Sequence, residues 1–126
     1  MPYFFDTYAL FEIINKNENY SKYFEEEIIT SNLNLAELFY GFLKENKSGL
    51  IDEWKDKVKL LIDKIELVVI IDSVKFKHKH KNKSFSFIDC LGYNIAKSLN
   101  IPFLTGDKEF KGLDNVEFVG STWGFD

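Results

Sequence analysis

Five short apolar runs, at residues 3–5, 28–29, 67–71, 103–104 and 116–119, divide this chain, and helical periodicity fills most of the intervals between them. Few folds satisfy such an alternation. Short strands separated by helix-length connections pair in parallel, and the helices must cover both faces of the sheet they cross. The pattern therefore predicts an α/β fold around a parallel sheet. At 126 residues, with no linker and no repeat period, it also predicts one domain spanning residues 1–126, large enough to bury roughly two thirds of its unfolded surface.

Two of the predicted helices carry informative faces. In residues 35–45, Leu35, Leu38, Phe39 and Phe42 share one side, as packing on a sheet requires, and Glu37 falls on the other. In residues 86–99, Phe87, Ile88, Leu91, Ile95 and Leu99 form a wide apolar stripe, while the opposite side holds Asp89, Gly92, Tyr93 and Ala96. The small residues three and seven positions after Asp89 let another part of the chain come close, so Asp89 is expected to line a crevice.

Composition narrows the class further. With 13 Phe, 6 Tyr and only 2 Pro, an ordered globular domain is expected rather than a disordered chain. The formal net charge is -4 and every basic residue is Lys, so contacts with anions are made by point charges without the bidentate fork of Arg. The single cysteine, Cys90, is read as a buried thiol and implies a reducing compartment. The longest apolar run, 67–71, is far short of the roughly 20 residues that cross a bilayer, and MPYFFDT lacks the basic start of a signal peptide. A soluble, cytoplasmic protein with no membrane contact is the expectation.

In an open parallel sheet the crevice lies beyond the carboxyl ends of the strands. Asp6 closes YFFD there and Asp107 follows PFLT, while Glu37 and Asp89 stand on helices of the same architecture. Four carboxylates brought together without basic partners repel one another unless a cation joins them, and an all-oxygen set with room for water suits Mg²⁺ or Mn²⁺. Each acid also has a local explanation. Ser86-Phe87-Ile88-Asp89 and Asn34-Leu35-Ala36-Glu37 fit capping boxes, and Asp6 and Asp107 each precede a helix start. Spacing alone leaves both readings open.

FFDTYAL at the start, NLAELFYG about 30 residues later, then SFIDCLGYNIAKSLNIPFLTGDKEF and NVEFV together resemble a PIN domain, in particular the small single-domain proteins similar to VapC toxins. The resemblance covers nearly the whole chain, is strongest from Ser86 to Val119, and leaves the stretch from Glu45 to Leu67 generic. It implies a three-layer α/β/α fold around a mostly parallel sheet of about five strands. It also implies a Mg²⁺- or Mn²⁺-dependent endoribonuclease with acids matching Asp6, Glu37, Asp89 and Asp107, all four of which are present. Asp6, Asp89 and Asp107 are implied to hold the metal, with Glu37 near it or at a second one.

Thr7 and Thr105 match hydroxyl positions that orient a carboxylate or a water, though a local turn or cap explains them equally. Glu109 is either a fifth acid or a surface residue of the turn DKEF. The resemblance further implies a homodimer, RNA as substrate and a small antitoxin as partner. Its nearest rival keeps the nuclease and makes it a processing or DNA-directed enzyme. A receiver-type phospho-acceptor domain has similar length but needs paired acids after the first strand, and Phe5 and Thr7 flank Asp6 instead. A third reading makes the acids structural caps in a partner-binding protein.

KFKHKHKNK, residues 75–83, places lysines on alternate positions. As a strand it would present a lysine face; the resemblance instead predicts a helix from about Ser73, then a turn into the helix of Asp89. Lys77, Lys79 and Lys81 are candidates for RNA backbone contact, against a solvated segment as the alternative. His78 and His80 lack further metal ligands nearby in sequence.

Overall fold

The computed structural model describes residues 2–120. In chain order the elements are β1 (Tyr3–Phe5), α1 (Thr7–Ile14), a 3-10 segment (Glu18–Tyr23), β2 (Ile28–Ser31), α2 (Asn32–Lys44), α3 (Gly49–Trp54), β3 (Val58–Ile62), α4 (Leu67–Lys79), α5 (Phe87–Ser98), β4 (Phe103–Thr105), a 3-10 turn (Lys108–Phe110) and β5 (Val116–Phe118). The strands form one parallel sheet in the order β3-β2-β1-β4-β5.

Alternation along the central strands builds the two halves of the core. Tyr3, Phe5, Ile28 and Leu104 point to one face, where Ala9, Leu10 and Ile13 of α1 and Leu35, Leu38 and Phe42 of α2 cover them. Phe4, Ile29 and Phe103 point to the other, against Val69 of α4 and Cys90, Tyr93, Ile95 and Ala96 of α5. The predicted three layers are thus present. Phe4, Phe5 and Phe103 are fully buried, each contributing on the order of 2 kcal/mol through removal from water. Cys90 is buried as expected, and desolvation pushes its thiol up to about 11.

Strand order reverses at β1. The chain runs outward from β1 through β2 to β3, then returns by α4 and α5 to the other side of β1, where β4 and β5 follow. Right-handed crossovers in opposite directions put the two helix groups on opposite faces and open a cleft between β1 and β4 at their carboxyl ends.

Three expectations are corrected. The run 67–71 is the first part of α4, and the third strand is Val58–Ile62, within the stretch whose sequence carried no signal. A continuous apolar run does not distinguish strand from helix; here only Val69 and Ser73 of α4 are buried, while β3 is an edge strand paired solely with β2. On α5 the buried face is Cys90, Gly92, Tyr93, Ile95 and Ala96, whereas Phe87 and Leu99 of the predicted stripe are exposed. The reason is close approach to the sheet: a Cβ on Gly92 would lie 3.1 Å from the Phe4 ring and 3.3 Å from that of Phe103. Finally, Asn34 does not cap α2, because Ser31 does.

The lysine strip is helix and then turn, as predicted, although α4 begins at Leu67 and not near Ser73. Its last turn holds Lys77, His78 and Lys79, where positive charge offsets the partial negative charge of the helix end. His80 packs at a tilt against Phe76, with ring centroids 4.5 Å apart, which makes it a packing residue.

Candidate active site at the carboxyl edge of the sheet

Asp6 leaves the end of β1 as the N-cap of α1, its Oδ1 accepting from the Ala9 amide at 2.8 Å. Asp107 follows β4 and caps the 3-10 turn, accepting from the Glu109 amide at 3.0 Å. Asp89 sits in the first turn of α5 and completes a capping box: the Ser86 amide donates to its Oδ2 at 2.9 Å, and its own amide donates to Ser86 Oγ at 3.0 Å. The capping readings therefore hold for these three, and they coexist with convergence. Asp6, Glu37, Asp89 and Asp107 all line one groove of about 590 Å³. Capping fixes one side of each aspartate and the strand or helix end aims it at the cleft.

Glu37 is held differently. Thr7 Oγ1 donates to its Oε1 at 2.7 Å, Asn34 Nδ2 donates to Thr7 Oγ1 at 3.1 Å, and Ser31 Oγ donates to Asn34 Oδ1 at 2.6 Å. Because the Asn34 amide occupies an acceptor position on Thr7, the threonine proton is directed to Glu37. The chain of bonds runs from the cap of α2 to the groove. Thr105, fully buried, bonds to the Asp6 carboxylate and accepts from the Asp107 amide at 3.0 Å. Both threonines orient carboxylates.

The electrostatics are those of an anionic site short of countercharge. Burial raises Asp6 to about 7; Asp89 and Asp107 push in the same direction, and the bonds from Thr105 and Ala9 only partly oppose them. Asp89 is raised as well, first by burial and then by the charges of Asp107 and Glu37. Carboxylates that perturb one another through a shared, partly desolvated space are where a divalent cation gains most. Among the described residues no three His, Cys, Asp or Glu side chains already close on one point as ligands. The all-oxygen donors on an open groove fit a hard cation that keeps several waters, and they do not form a dry cage.

The remaining candidates separate. Glu109 is not in the groove lining; its Oε1 accepts from the Ser84 amide at 3.1 Å and its carbonyl from Lys83 Nζ at 2.8 Å, so it fastens the turn before α5. Lys77 donates to the Phe85 carbonyl at 2.6 Å and lies over the Phe87 ring at 5.1 Å, which gives it a structural duty. Lys81 shares a shallow surface hollow with Lys77, His78 and Phe87, and Lys79 is exposed.

Sequence reasoning missed four groups of the groove: Tyr8 and Phe11 on α1, and Tyr40 and Lys44 on α2. The signal was available, since Tyr40, Gly41 and Lys44 follow Glu37 at three, four and seven positions and so share its helix face. Asn34 was also missed, hidden by its fit to a capping box.

Comparison with known proteins follows the same geometry. A PIN domain family model matches residues 3–116. A chain of a toxin-antitoxin complex from Klebsiella pneumoniae superposes with a TM-score of 0.73 at 17% identity, covering 93% of this chain and 96% of that one. VapC20 from Mycobacterium tuberculosis, described as a sarcin-ricin loop cleaving toxin, gives 0.69 at 13% identity, covering 91% and 98%. A chain of DNA-bound VapBC from Salmonella typhimurium gives 0.69 at 18%, covering 97% and 99%. A search of curated protein sequences finds no match. The family match sets aside the receiver-type alternative, and the chain belongs to the PIN domain family.

Proposed function

We propose that this chain is a metal-dependent endoribonuclease and the toxin of a VapBC-type pair. The observation that carries the reading is the meeting of Asp6, Glu37, Asp89 and Asp107, from four separate elements, in one groove at the point where strand order reverses. Asp6, Asp89 and Asp107 are the residues that would hold Mg²⁺ or Mn²⁺, with Glu37 beside them. When bound, such an ion neutralises phosphate charge and makes water a stronger nucleophile.

The chain's own part is orientation and proton control. Thr105 links the Asp6 carboxylate to the backbone of Asp107. The Ser31–Asn34–Thr7 chain keeps Glu37 as a hydrogen-bond acceptor at a fixed place, available to orient the attacking water. In-line attack on phosphorus breaks the bond to the 3′ oxygen, leaving a 5′-phosphate and a 3′-hydroxyl. Neither His78 nor His80 lines the groove, so no imidazole base takes part. Lys79 and Lys81, just before Asp89 in sequence, are proposed to contact the RNA backbone, with Lys77 securing the turn that presents them.

The similarity of fold to chains of toxin-antitoxin complexes supports an antitoxin partner. The outer side of α4 supports a homodimer, because Leu67, Val68, Ile71 and Val74 are all exposed there. The test is an RNA cleavage assay with Mg²⁺, Mn²⁺ or EDTA. Cleavage with either ion and none in EDTA is expected. Cleavage that persists in EDTA, or that acts on DNA in preference to RNA, contradicts the reading.

A further inference from the structure

The groove is not acidic throughout. From the four acids it continues along the α2 face of Glu37 to a second end at Tyr40 and Lys44, and its lining also includes Tyr8 and Phe11. We propose that this second end is a subsite for an unstacked base and phosphate of single-stranded RNA, with Tyr40 as stacking platform and Lys44 as phosphate contact. The proposal rests on the nuclease reading and adds to it where the substrate is gripped.

Helix geometry joins the two ends. Glu37, Tyr40, Gly41 and Lys44 share one face of α2, and about 10 Å along the helix axis separates Glu37 from Lys44. A strand whose reacting phosphate lies at the acids passes over Tyr40 on its way to Lys44. Tyr40 is 64% exposed, so an unpaired base can reach its ring from the groove. Lys44 Nζ lies 5.2 Å from the ring centroid, so the cation and the aromatic face are presented together.

Close packing shapes the floor. A Cβ on Gly41 would meet Phe11 Cζ at 2.4 Å, so the glycine is what admits the Phe11 ring beneath α2. That ring is fixed edge-on against Phe42, with centroids 6.0 Å apart. Tyr8, also in the lining, packs over Gly106 beside Asp107, where a Cβ would lie 2.4 Å from its ring.

Charge selects the occupant. Among the described residues of the groove lining Lys44 is the one cation, about 10 Å along α2 from Glu37. Glu45 also lines that end, but its carboxylate is 3.7 Å from Lys47 Nζ. A polyanion repelled by four carboxylates gains its countercharge here. Aromatic faces with one cation suit sequence-tolerant stacking of an unpaired base, which a duplex does not offer.

The test measures binding of a short fluorescein-labelled single-stranded RNA by anisotropy, in an Asp89→Asn background so that the probe stays intact. Tyr40→Ala should weaken binding about tenfold and Tyr40→Phe should leave it unchanged. Lys44→Gln should reduce the slope of log affinity against log salt by about one. A perfect RNA duplex should bind more weakly than the single strand. Equal affinity of Tyr40→Ala and the parent, or a preference for duplex, overturns the subsite while leaving the nuclease reading intact. A parent chain that binds no RNA overturns both. Circular dichroism separates these results from misfolding.

Discussion

Asp6 shows how one side chain carries two duties. Its carboxylate caps α1 and lies against Thr105, yet burial and the nearby Asp89 and Asp107 raise it to about 7. The folded chain therefore keeps a proton that the unfolded chain has lost, over the range from the ordinary carboxylate value up to about pH 7. Stability from this group is full below that range and falls as pH rises through it. Metal-free protein should lose on the order of 3 kcal/mol between pH 5 and pH 8 from this source. Asp6→Asn keeps the cap and should remove most of that loss, as thermal melts in EDTA across the pH range will show. An unchanged pH dependence in the variant contradicts the assignment. The acids were legible in the sequence by type and position, since strand ends and first helical turns are recognisable. Asn34 was not, because a side chain three residues into a helix reads as a cap until its neighbour on another element is seen.

At the scale of elements, the helices that touch the sheet were easier to read than the one that does not need to be amphipathic. α5 was placed correctly and its buried face was not: apolar count favoured Phe87, Ile88 and Leu91, whereas the sheet selects the flat side with Gly92 and Ala96. Gly92→Leu should therefore destabilise the fold by about 1–3 kcal/mol through overpacking against Phe4 and Phe103, and should lower activity by moving the turn that carries Asp89. Denaturant unfolding and cleavage rates check the two effects. α4 was misread in its first part because LVVII has no period, and its exposed Leu67, Val68, Ile71 and Val74 now mark the proposed dimer face. Ile71→Lys should convert the dimer to a monomer in sedimentation analysis with the melting temperature little changed. A wild-type chain that is already monomeric at micromolar concentration contradicts that proposal.

At the scale of the molecule, the sheet order explains why the acids meet. Residues 6, 37, 89 and 107 are far apart in sequence, and only a strand order that reverses at β1 brings the ends of β1 and β4 and the start of α5 around one groove. The alternation of runs and helices made the α/β class legible, because parallel pairing leaves few alternatives. Strand β3 and the exact helix faces were not legible, since an edge strand buries little and so carries a weak pattern. No helix among the described residues is long and apolar enough to cross a membrane. The central claim is that the four acids form one catalytic site. Its most direct test is the RNA cleavage rate of Asp89→Asn with Mg²⁺ or Mn²⁺, beside a thermal melt of the same sample. A loss of at least about a hundredfold in rate with a retained cooperative melt is predicted; cleavage at the wild-type rate would contradict the account.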